Sequence, residues 1–215
     1  VLRLSVEAWS EDPEQLRLIG DAATGLGYEA AVTKRSYSRT IWLDLTPAED
    51  ELLAGFSPTC RRHIRAPGKR GYRVEAITDP AASKALREIF RESFRRTGGQ
   101  APRLDWDELI RLGAAAAAPV RIVGLFPPGP GGDLPIAFAV AYLHGDVAEY
   151  AHAGSLRHPD HHLPLLYAPT WDLMRWAKRS GAKCWDFGGV REPSAGPDVD
   201  ASGLGGIGAF KAAFS

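Results

Sequence analysis

Between Val120 and Gly154 three apolar runs follow one another, "VRIVGLF", "PIAFAVAYLH" and "VAEYAHAG". Only "PPGPGGDL" and the triplet His144-Gly145-Asp146 separate them, and such residues form turns between antiparallel strands. The segments around this meander are of another kind. Before it, Leu86, Ile89, Phe90 and Phe94 make a helical stripe between Asp79 and Thr97, and Asp105 opens a second helix, "WDELIRLGAAAAA". After it, "LLYAPTWDLMRWAKRSG" reads as a helix with Tyr167, Trp171 and Met174 inward and Gly181 at its end, and "AKCWDF" as a strand. A doubly wound parallel sheet would alternate strand and helix throughout. This order instead gives an α+β, mixed α/β class: a central, mostly antiparallel mixed sheet flanked by helices.

Upstream, "VLRLSVEAW" reads as a strand and "DPEQLRLIGDAATGLG" as a helix with a proline near its start and a glycine at its end. "TIWLDLT" is a strand and "PAEDELLAGF" a short helix. Ser57 caps the basic segment "PTCRRHIRA", with Pro58 in its first turn. Pro67-Gly68 is expected to end that helix, because a proline pushes Ala66 out of the α region. "GYRVEAI" is the next strand.

The chain's 26 basic and 26 acidic residues cancel, so attraction to phosphate must come from local clustering. One cluster exists. Ser57 to Val74 carries Arg61, Arg62, Arg65, Lys69, Arg70 and Arg73 and no acid. Arg61 and Arg65 stand one helical turn apart, and the guanidinium fork binds two phosphate oxygens at once. The alternative is a solvated basic face.

Cys60 and Cys184 lie far apart without a CxxC spacing, which excludes a disulfide scaffold or zinc knuckle and suits a reducing cytosol. Cys60, beside Arg61 near a helix start, is either a low-pKa thiol or a small packed residue. His158, Asp160, His161 and His162 have prolines among and beside them, poor geometry for one ion, so a polar loop and no metal are expected. No apolar run is long enough to span a bilayer and Val1 begins no signal-peptide pattern. No stable membrane insertion is expected, and a location in the cytoplasm or at the inner membrane surface.

The end of the chain is the most unusual part. Asp186 ends a strand, Gly188 and Gly189 follow, and further glycines precede the pair Phe210-Lys211. Neither GxxxxGK[ST] nor GxGxxG is present, so these glycines let backbone approach a ligand or let a loop move. "VREPSAGPDVDASG" is expected to be mobile and to close over substrate. Lys211 is flanked by Phe210, Ala212, Ala213 and Phe214, so the segment should pack and aim the ammonium. Asp186 to Lys211 is then one wall of a cleft.

The order of elements is that of an acyl-CoA N-acyltransferase (GNAT-like) domain. More specifically, the chain resembles the FemABX family of aminoacyl-tRNA-dependent peptidyltransferases, which build the peptidoglycan side bridge. The matching pieces are "TIWLDLTPAEDELLAGFSPTCRRHIRAPGKRGYRVE", "VAEYAHAGS", "LLYAPTWDLMRWAKRSGAKCWDFGGV" and "GLGGIGAFKAAFS", in that order. The resemblance covers residues 40–215 as a C-terminal GNAT-like domain, and 1–39 resembles the end or remnant of a first one. It implies transfer of an amino acid from aminoacyl-tRNA to the amine of a peptidoglycan precursor, UDP-MurNAc-pentapeptide or lipid II, without a cofactor. By position, Lys211, Phe210 and Tyr150 match catalytic residues, and Arg61 matches the arginine that contacts the precursor's phosphates. Arg65, Asp186, Gly188 and Gly189 complete the expected substrate-binding set.

Three alternatives remain: the same chemistry on another acceptor such as a secondary-metabolite peptide, an acyl-CoA-dependent transferase, and a binding domain without catalysis. Acyl-CoA is disfavoured because no glycine lies between Ser155 and Ser180, while Pro159 and Pro164 remove two pyrophosphate-binding donors.

Overall fold

The computed structural model describes residues 8, 10, 12–30, 39–115, 117–129, 132–157, 163–190 and 205–214. The chain divides into two units, Val1–Ser36 and Tyr37–Ser215. In the first, α1 (Pro13–Gly25) begins where Asp12 accepts a hydrogen bond from the Glu14 N–H, with Pro13 in the first turn. Most of the strand expected over 1–9 lies outside the described residues.

The second unit runs β1 (Arg39–Asp44), α2 (Glu49–Gly55), α3 (Pro58–Lys69), β2 (Arg73–Ala76), a 3-10 turn (Pro80–Ala82), α4 (Ser83–Arg96), α5 (Trp106–Gly113), β3 (Val120–Phe126), β4 (Ala137–His144), β5 (Val147–Ser155), α6 (Tyr167–Arg179), β6 (Cys184–Val190) and α7 (Gly205–Ala212). Its strands form one six-stranded sheet in the order β1-β6-β5-β4-β3-β2. Every neighbouring pair is antiparallel except β5 and β6, which are parallel. The meander from Val120 to Ser155 is therefore continuous, and α6 is the crossover that a parallel return requires.

Both faces of the sheet are covered, which is why β4 is buried without interruption from Ala137 to Ala141. On one face Leu86, Ile89 and Phe90 of α4 and Trp106 and Ile110 of α5 pack on Ile122, Phe138 and Val140. On the other, Phe56, Cys60, Leu173, Met174, Ala177 and Phe214 pack on Ala139, Ala141, Ala148, Trp185 and Phe187. Small residues on this face let α6 lie close to the sheet. Arg175 and Arg179 tie α6 to Glu49 at 2.6 and 3.5 Å, and the Lys178 ammonium donates to the Leu45 carbonyl at 2.8 Å.

Ser57 caps α3 as expected, its hydroxyl accepting from the Cys60 N–H at 3.2 Å. The expected stop before Pro67 is overturned: α3 continues through Pro67 to Lys69. Pro67 is buried, and the turn after it closes by bonds from Arg70 and Tyr72 N–H to the Pro67 carbonyl, so one missing donor is offset by packing and by the bonds that end the helix. Helix α5 also stops earlier than its alanine run suggests, at Gly113, whose backbone lies against Val120 where the chain returns into β3. No helix of the described residues is long and apolar enough to cross a membrane.

Candidate active site

The parallel pair is short. β5 and β6 are in register only from Val147↔Cys184 to Glu149↔Asp186. Beyond that point β5 stays paired with β4 as far as Ser155, while β6 stays paired with β1 as far as Val190. Held from opposite sides, the two strands separate and open a wedge at their C-terminal ends.

A bulge aims the side chains beside it. Val140 pairs with His152 but the next residue, Ala141, pairs with Tyr150, so Ala151 is the extra residue on β5. Without it Tyr150 and His152 would share a face. With it they separate. Tyr150 joins Trp185, Phe187 and Phe210 on the α6–α7 side, whereas His152 meets Phe90 and Tyr142 on the α4 side. On the α4 side Gly154 is closely approached: a Cβ there would lie 3.1 Å from Ile89 and Phe138 atoms.

The Tyr150 hydroxyl is buried and has no hydrogen bond of normal geometry, nor has the nearby Thr170 hydroxyl. Burial pushes the phenol well above its ordinary pKa, and Thr170 only partly opposes this. Tyr150 is therefore a neutral hydroxyl, not a phenolate.

Helix α7 closes this side. Phe210 meets Tyr167 at 4.8 Å and Tyr150 at 6.2 Å between ring centres. Phe214 packs on Phe56, Phe187 and Tyr167 at 5.2, 5.3 and 5.5 Å. The Ala213 carbonyl accepts from the Ser57 N–H at 3.2 Å, joining the end of the chain to the start of α3. Between the two phenylalanines Lys211 is only 8% exposed. Its ammonium donates to the Gly189 and Gly188 carbonyls at 2.8 and 3.3 Å. Burial lowers its pKa, and the Asp186 charge partly restores it.

Asp186 does not end its strand as expected: β6 continues to Val190, with a bulge against β1 between Asp186 and Gly189. Its Oδ1 accepts from the Gly188 N–H at 2.7 Å and from the Thr40 hydroxyl. Gly188 has φ +71°, a left-handed conformation in which a side chain is strained. These contacts bring Asp186, the two glycines and Lys211 together in one place. Of the expected closing segment, Val190 belongs to β6 and residues 191–203 lie outside the described residues, as do His158, Asp160, His161 and His162.

Arg61 and Arg65 lie on α3. The Arg61 Nη1 donates to the Ala54 and Phe56 carbonyls at 2.7 and 2.5 Å, capping the end of α2. Its other nitrogens are not used in these bonds. Arg65 is exposed one turn further on. Arg61→Ala should cost about 1–3 kcal/mol in urea denaturation through the two orphaned carbonyls, whereas Arg65→Ala should leave stability within about 0.5 kcal/mol. Equal stability of both variants would show that the cap contributes nothing.

Cys60 is buried and burial pushes its thiol up to about 12, so it is a packed residue and not a reactive thiolate. Three neighbours of the site escaped the sequence reading. Thr40 reaches Asp186 only through sheet pairing between residues far apart in sequence. Tyr167 was legible as an inward residue, but not as the partner of Phe210. His63 packs edge-on against Tyr167 at 4.8 Å, and burial and Arg62 keep it neutral.

Comparison with known proteins agrees with this architecture. A family model described as "Acetyltransferase (GNAT) domain" matches residues 55–197. Among solved structures, FemX superposes with a TM-score of 0.68 at 17% identity, over 91% of this chain and 64% of that one. L-PGS from Bacillus licheniformis superposes with a TM-score of 0.50 at 14% identity, over 80% of this chain and 50% of that one. The chain thus spans less than two thirds of either structure. No curated protein matches it. At these identities the likeness is one of fold, and it is the fold that the FemABX resemblance implied. The chain belongs to the acetyltransferase (GNAT) domain family and has the fold of FemX.

Proposed function

We propose that this chain is an aminoacyltransferase that moves an amino acid from aminoacyl-tRNA to the amine of a peptidoglycan precursor peptide. The observation that carries the reading is the buried Lys211 ammonium, held by two carbonyls beside the strand wedge. An ammonium has three N–H donors, and among the described residues two of them are used, which leaves one for a substrate oxygen. The likeness to FemX supports the choice of reaction.

Aminolysis of an ester needs an amine held close and positive charge where the oxyanion forms. In the reaction proposed, the precursor's amine nitrogen adds to the ester carbonyl carbon and the carbonyl oxygen becomes an oxyanion facing Lys211. The C–O bond to the tRNA ribose then breaks. The amine's proton passes to the departing ribose oxygen, which leaves as a hydroxyl, and an amide remains. Lys211 keeps its proton throughout. Arg61 and Arg65 would lie against the precursor's phosphates, with the Arg61 nitrogens other than Nη1 as donors. Association with the inner membrane surface would follow if the acceptor is lipid II.

Labelled aminoacyl-tRNA incubated with UDP-MurNAc-pentapeptide tests this directly: labelled product is expected. Transfer only to another peptide acceptor would keep the chemistry and change the substrate. The matched family model makes acyl-CoA the second reading. Acetyl-CoA at millimolar concentration should give no thermal shift, because the 156–164 junction lacks glycine and carries Pro159 and Pro164. Saturation at 100 times Kd would stabilise the fold by about 2.7 kcal/mol, so a clear upward shift would move the protein to acyl-CoA chemistry.

A further inference from the structure

We propose that Asp186, steadied by Thr40, is a positioning residue for Lys211: its carboxylate fixes the left-handed bulge of β6 whose two carbonyls hold the ammonium. The proposal rests on the transfer reading for its rate measurements, but its geometry does not. Asp186 Oδ1 takes the Gly188 N–H at 2.7 Å and the Thr40 hydroxyl from β1, on the neighbouring strand. The Gly188 and Gly189 carbonyls then point at Lys211 Nζ. One carboxylate oxygen therefore joins β1, the bulge of β6 and α7 in a single chain of contacts. Gly188 at φ +71° explains why this bulge needs such a clamp: a left-handed glycine between strand residues is free to leave that conformation when its N–H is released.

Charge acts in the same direction. Among the described residues the titratable groups around Lys211 are Asp186 on β6, Tyr150 on β5 and Tyr167 on α6, with Cys60 and His63 of α3 behind Tyr167. Burial raises both phenols and the thiol and lowers the imidazole, so each is neutral near pH 7. Asp186 is the group of this set whose charge favours the ammonium. Removing the charge moves the Lys211 titration to lower pH. Removing the acceptor releases the bulge. Asp186→Asn does the first and keeps an acceptor oxygen, whereas Asp186→Ala does both.

Two readouts separate the possibilities. The first is single-turnover transfer with the intact chain. Asp186→Ala should lower the rate about tenfold with precursor KM nearly unchanged, and should add little in a Lys211→Ala background, because residues acting through one another are not additive. An equal loss in both backgrounds would overturn the proposal and make Asp186 an independent contact. The second is labelling of Lys211 by an acylating reagent across pH, read by peptide mass spectrometry. Labelling should be slow in the wild type and several-fold faster in Asp186→Ala. The Asp186→Asn midpoint should fall to lower pH, and Thr40→Val should give an intermediate rate. Unchanged labelling in folded Asp186→Ala overturns the proposal. Should that variant not fold, Asp186→Asn and Thr40→Val decide by the same criteria. If the wild type transfers nothing from aminoacyl-tRNA, the functional reading falls while the labelling still decides the role of Asp186.

Discussion

Lys211→Ala lowers the single-turnover rate of aminoacyl transfer by roughly 10²-fold or more, the scale of one lost oxyanion donor, while precursor binding changes little. The expectation follows from where the charge sits. An ammonium in water is screened and costs nothing to place, but it does little for an oxyanion. Lys211 is 8% exposed and anchored by two carbonyls, so its charge is already oriented when the oxyanion forms. It interacts more strongly with the oxyanion than with the neutral ester, which is what raises a rate rather than an affinity.

The same burial fixes the pH dependence. The folded-state pKa of Lys211 lies below its ordinary value, because desolvation lowers it more than Asp186 raises it. In the interval between the two values the unfolded chain binds more protons than the folded one. Stability therefore rises with pH through that interval, as the penalty of the buried charge is relieved. The transfer rate should fall through the folded pKa, as the ammonium is lost. Opposite slopes in rate and stability over one alkaline interval, both absent from Lys211→Ala, identify the residue. A folded Lys211→Ala protein that transfers at the wild-type rate would remove Lys211 from the mechanism.

What could be read from the sequence was whatever local pattern dictates. The meander from Val120 to Gly154 carries its own strand and turn chemistry, and Asp105 and Ser57 cap helices by rules that act over three residues. The pairing of Asp186 with Gly188 is also local. What stayed hidden depends on contacts between residues distant in the chain. Thr40 reaches Asp186 only because β1 lies beside β6, and no composition near residue 40 signals that. The bulge at Ala151, which sends Tyr150 and His152 to opposite faces, leaves no mark in an alanine. Pro67 misled for a related reason: the local preference against a helix was real, but burial of the ring overrode it. Arg61 was legible as a cation in an acid-free segment, but not as the cap of the preceding helix.

Phe214→Ala should cost about 3–5 kcal/mol in urea denaturation and reduce transfer at least as far as Lys211→Ala does. Phe214 is 1% exposed although it stands one residue from the end of this chain. It touches Phe56 from the segment before α3, Tyr167 from α6, Phe187 from β6 and Phe210 from α7, the helix it follows. Truncation removes the ring from all of them and leaves a cavity that rigid strand and helix cannot fill. Phe210, the Ala213 carbonyl and the Lys211 ammonium also hold this segment, but Phe214 is its most deeply buried ring. With the ring gone, the helix that presents Lys211 undocks more often, so stability and rate fall together. Phe214→Leu keeps most of the volume and should cost less than about 1.5 kcal/mol, with transfer largely retained. The pair of variants thus separates packing from chemistry, since neither alters a polar atom of the site. A Phe214→Ala protein with wild-type stability would mean that the ring contacts do not hold α7 in place, and Lys211 would then lose the rigid support on which its role depends.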